Sequence, residues 1–121
     1  MQARLLTGAF TPERAASLPQ NDWRRRNGDF KGEALTRNLQ FADALKPIAK
    51  RHDVSTAAVA VAWVLAWRGV SGAIVGARRP DQIDGWVGAG SLDLMCEDLT
   101  EIAAAIEKTG AGSGPALPPA T

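Results

Sequence analysis

Apolar residues recur at three- and four-residue steps through Leu35, Leu39, Ala42, Leu45 and Ala49, with Phe41 and Ile48 widening the face. That spacing predicts an amphipathic helix over 33–50, which Pro47 should kink or from which it should split off the last turn. Ser55 can cap a second helix over 56–67, which is apolar nearly all round and includes Trp63 and Trp67 at helical spacing. A helix with so little polar face expects burial on several sides, and a chain this small has little to cover it with. A last helix over 97–108 shows Leu99, Ile102, Ala103 and Ile106 on one face and should end at Gly110.

Two short stretches have a different pattern. Residues 3–7 can extend as a strand ended by Gly8, and Ala73, Ile74 and Val75 suit a strand covered on both faces. Between them, Thr11, Pro12 and Glu13 signal a short helix that stops near Pro19. Residues 20–32 are polar, carry Arg24, Arg25 and Arg26, and predict a long surface loop pinned by Trp23 and Phe30. Two strands joined by a helical crossover should be parallel, and two alone make no stable sheet. The expectation is an α/β chain, mostly helical by content, cut as an arc from a larger structure. Residues 1–109 form its domain, and residues 110–121, rich in glycine and proline, predict a flexible tail.

The segment from Gly72 to Trp86 concentrates the chemistry. A strand, a glycine turn, Arg78 and Arg79, then a helix over 80–89 opened by Pro80 would make an anion site suited to phosphate. The alternative is a solvated arginine pair, and for Arg24, Arg25 and Arg26 a solvated loop is the preferred reading.

Composition narrows the options. The 121 residues have a net charge of +1, so neither nucleic acid nor an anionic membrane is indicated as partner. No apolar run is long enough to span a bilayer, and a single cysteine, Cys96, fits a reducing, cytoplasmic setting. The chain has no tyrosine and one histidine, His52, which excludes phenolic acid catalysis and a histidine-rich metal site. His52 is expected at a helix C-terminus and Cys96 as an inert thiol. The turn Asp53-Val54-Ser55 between helices resembles a helix-turn-helix, but the second helix lacks reading residues, so a DNA-binding domain is the minor alternative.

Leu5-Leu6-Thr7-Gly8, Asp22-Trp23-Arg24-Arg25-Arg26, the Asn38 to Ala49 helix, Val54 to Trp63 and Ile74 to Gln82, in that order and spacing, resemble the C-terminal part of an aldo-keto reductase. The stretch Gln82 to Trp86 is similar to one bacterial subgroup. The resemblance implies a partial (β/α)8 TIM barrel containing roughly the last two strands with their helices, and NADPH as cofactor. It places Gly76, Ala77, Arg78 and Arg79 at the adenosine 2′-phosphate, Gln82 beside the adenosine, and Leu5 and Gly8 along the pyrophosphate and ribose. Trp86 stands where the family grips adenine, and Met95-Cys96 where a threonine usually caps the last helix. The family's catalytic Asp, Tyr, Lys and His belong to the first half of the barrel. The implied chain is therefore truncated or split, with no catalytic residue of its own and inactive alone. It would meet a small carbonyl substrate only with a complete barrel, or else act as an interaction fragment that docks on a complementing N-terminal half.

Overall fold

The computed structural model describes residues 2–119 of the chain. Six α-helices carry the fold: α1 (Pro12–Ala16), α2 (Gly32–Ala44), α3 (Lys46–Arg51), α4 (Thr56–Leu65), α5 (Asp81–Asp84) and α6 (Cys96–Thr109). Turns of 3₁₀ helix at Gln2–Thr7, Trp23–Arg26, Gly28–Phe30 and Val87–Ser91 fill the links.

The helix starts follow the side chains that can cap them. Thr11 Oγ1 accepts the Arg14 N–H at 3.2 Å to open α1, and Ser55 Oγ accepts the Ala58 N–H at 2.9 Å to open α4. Pro47 splits the long helix, because it has no N–H to offer the preceding turn. The α2 register stops at Ala44, Leu45 bridges, and α3 restarts with Pro47 in its first turn. Gly110 ends α6 in the left-handed conformation at φ 67°.

The central core joins Leu45, Ile48 and Ala49 to Val59 and Ala60 of α4 and Ile102 of α6, with Phe41, Trp63, Leu92, Leu94 and Ile106 around them. Ile48 and Val59 are wholly buried. Removing such a side chain from water contributes about 1.5–3 kcal/mol. A second cluster of Leu5, Phe10, Leu18 and Phe30 packs under the N-terminal turns, with Phe10 and Phe30 edge to face at 5.5 Å. The all-apolar α4 finds more cover than the chain's size suggests. Thr56 to Ala62 are buried without a break, among α3, the N-terminal 3₁₀ turn and the Val87–Ser91 turn. Gly8 is needed at this seam: its φ is +72°, and a Cβ there would lie 3.0 Å from Thr56 Oγ1.

The two predicted strands do not form. Residues 2–7 coil as a 3₁₀ helix, residues 73–75 stay irregular, and there is no strand among the described residues. The reason is lateral. Strand N–H and C=O groups need a neighbour about 4.8 Å away, yet Arg4 and Thr7 face Ile74, Val75 and Gly76 across an open groove. Residues 71–77 make no backbone–backbone hydrogen bond among the described residues, and Ile74 is fully exposed instead of buried. The predicted helix over 80–89 shrinks to the single turn α5, since Gly85 ends it and the chain continues as the 3₁₀ turn. Residues 110–119 leave α6 with Ala111 and Pro118 buried; the last two residues of the predicted tail lie outside the described ones.

Candidate functional site

The groove between the two would-be strands has a volume of about 450 Å³. Arg4 and Thr7 line it from the N-terminal turn, Arg14 from α1, Trp23 and Arg24 from the following 3₁₀ turn, and Ile74, Val75, Gly76, Arg78 and Gln82 from the opposite side. Four arginines thus converge from four segments spread over 75 residues of sequence, from Arg4 to Arg78.

They are not equivalent. Arg24 forks onto Asp22 at 2.9 and 2.6 Å, and its guanidinium sits 5.7 Å from the centre of the Phe10 ring. Those bonds, together with the Arg24 N–H, pull the Asp22 carboxyl down to about 2 against the opposing effect of burial; the charges of Arg24 and, from across the groove, Arg78 add smaller pulls. Arg24 is therefore neutralised and fixed. Arg4, Arg14 and Arg78 have no carboxylate within ion-pair distance among the described residues. Their charge is left facing the groove.

The residues placed by resemblance divide three ways. Gly76, Arg78 and Gln82 line the groove together. Gly76 is open on its Cβ side, with nothing within 4 Å, so a ligand could approach the backbone there. Gln82 Oε1 accepts the Arg78 N–H at 2.9 Å. Ala77 is exposed and Arg79 points away, forked onto Asp81 at 3.0 and 2.8 Å. Leu5 and Gly8 fall elsewhere: Leu5 is 1% exposed inside the second cluster, and Gly8 borders a neighbouring hollow beside Lys46. With α5 only four residues long, the positive field of the site comes from arginine side chains and not from a helix dipole.

Three side chains have other work. Trp86 packs inward with Val75 against Ala58, Val61 and Ala62 of α4. His52, at the C-terminus of α3, lies 2.7 Å through Nε2 from Asp98 of α6, not beside its sequence neighbour Asp53. Asp98 also accepts from Arg51 and from the Met95 N–H at 2.9 Å, the reciprocal half of a capping box, which satisfies the N-cap amide and not the one that a threonine at 95 would hold. Cys96 is exposed, and no group of metal-ligating side chains forms among the described residues. Sequence reasoning missed Arg4 and Arg14. No local motif marks them, because their contribution depends on the fold carrying α1 and the N-terminal turn to one side of the groove.

The sequence profile of the Aldo/keto reductase family matches residues 1–107, and the chain belongs to that family. It is a family of oxidoreductases that generally bind NAD(P)H, and its fold is the TIM barrel. No individual curated protein matches the chain. No helix among the described residues is long and apolar enough to cross a membrane.

Proposed function

We propose that the chain is the NADPH-binding portion of an aldo-keto reductase, with the arginine groove receiving the adenosine 2′-phosphate. The observation that carries this reading is the convergence of Arg4, Arg14 and Arg78, none ion-paired among the described residues, beside the open backbone of Gly76. A guanidinium offers a planar fork that matches phosphate oxygens, and three around one groove suit a dianion. Gln82 lines the same wall and holds the Arg78 N–H through its side-chain oxygen. When bound, the dinucleotide would supply the hydride that reduces an aldehyde or ketone to an alcohol. The chain's own part is to bind and orient: it has no tyrosine, and its one histidine is engaged by Asp98. We assign it no proton transfer to substrate.

The test is calorimetric titration with 2′,5′-ADP and 5′-AMP, which differ only in the 2′-phosphate. The reading expects tighter binding of 2′,5′-ADP and a loss of roughly tenfold or more in Arg78→Ala, the worth of a charged hydrogen bond. Equal, weak binding of both ligands would remove it.

A second reading has one observation in its favour. Residues 71–77 hold a run of backbone groups without backbone partners beside the exposed Ile74, which suits docking against the strands of a complementary barrel half. Co-expression with such a half should protect amides 71–77 from exchange; unchanged exchange would count against it.

A further inference from the structure

The turn that carries Arg78 is weakly tethered. Among the described residues, positions 71–78 make a single hydrogen bond, from the Arg78 N–H to Gln82 Oε1 at 2.9 Å. Arg78 has no ion pair among the described residues, and a Cβ built at Gly76 would meet nothing within 4 Å. Among the described residues, Val75, three residues before Arg78, is the one position of this stretch that packs into an apolar cluster. From there through Arg78, the backbone direction that aims the guanidinium rests on that one bond; the next tether is the Arg79 carbonyl, which accepts the Gln82 N–H at 3.2 Å. The Gln82 side chain reaches back four residues, past Pro80, to an amide that has no other partner among the described residues.

We propose that Gln82 is a positioning and specificity-determining residue. Its side-chain oxygen holds the Arg78 backbone so that the guanidinium faces the groove, and it thereby sets the preference for a nucleotide with an additional phosphate. This rests on the cofactor reading above but changes the role of Gln82, which acts through Arg78 and not by contact with adenosine. The two roles leave different marks. A direct adenosine contact would be shared by every adenine nucleotide, whereas a residue that aims Arg78 matters only to a ligand whose phosphate meets Arg78.

Gln82→Met keeps the length of the side chain and removes the acceptor, and Gln82→Ala removes both. In each variant, 2′,5′-ADP should bind about five- to tenfold more weakly, the worth of one hydrogen bond, while 5′-AMP is unchanged. The Arg78 amide should be protected from hydrogen exchange in the original chain and exchange faster in both variants, while α6 amides keep their protection. Equal weakening of the two nucleotides would return Gln82 to an adenosine contact and overturn the proposal, as would no change in either. An Arg78 amide that already exchanges freely in the original chain would overturn it even if 2′,5′-ADP binds well. If the original chain binds neither nucleotide, the cofactor reading fails first, and the exchange measurement still reports on the bond.

Discussion

The helical block of α2, α3, α4 and α6 and the stretch between α4 and α6 start from comparably apolar sequence and end in opposite states. Val59, Ala60 and Ile48 are buried, whereas Val70 is partly exposed and Ile74 wholly so. The difference lies in where each segment's backbone bonds go. A helix satisfies its N–H and C=O groups internally and needs only a neighbour for its apolar face. A strand needs a partner for its backbone as well, and residues 71–77 meet none among the described residues. The block therefore carries the stability, and the stretch carries the arginine turn at its edge.

Truncation on either side should separate the two regions most sharply. Ile102→Ala, at 1% exposure between α3 and α4, should cost about 2–5 kcal/mol in chemical denaturation. Ile74→Ala should stay within about 0.5 kcal/mol in the same assay. Similar losses at both sites would show that the stretch is packed after all.

The Asp98 clamp sharpens the same contrast from within the block. Burial pushes its carboxyl up, but hydrogen bonds from His52, the Met95 N–H and Arg51 together outweigh that and hold it below the ordinary 3.8. The stability it contributes is thus fully present above that value and is lost as pH falls through the lower folded one. Asp98→Ala should cost roughly 2–3 kcal/mol near neutral pH, from the loss of charged hydrogen bonds. The gap between the original chain and the variant should close below about pH 4, read by thermal unfolding across pH. A gap that stays constant into acid would exclude the clamp as its source.

Gly8→Ala tests the seam between the N-terminal turn and α4. A side chain at φ +72°, 3.0 Å from Thr56 Oγ1, should cost about 1–2 kcal/mol in denaturant midpoint. The smallest effect on stability is expected at the site itself. Arg78→Ala should leave the unfolding transition within about 0.5 kcal/mol while weakening 2′,5′-ADP, because its guanidinium has no ion pair to lose.

Much of the block is legible from the chain alone. The three- and four-residue spacing gives α2 and α6, Pro47 gives the break before α3, Ser55 opens α4, and Gly110 closes α6. The site is less so. Gly76, Arg78 and Gln82 stand within seven residues and could be found as a motif, whereas Arg4 and Arg14 reach the groove only through folding. His52 shows the same limit, since its partner Asp98 lies 46 residues on.

The sequence by itself determined the helices, their ends and the phosphate-suited turn, because those follow from local backbone bonding, side-chain caps and residue chemistry. Only the tertiary structure decided that the two apolar stretches at 3–7 and 73–75 would face each other across a groove without pairing. It also decided which arginines are neutralised and which stay open. Both outcomes depend on distances between segments remote in the chain, and local pattern holds no record of those.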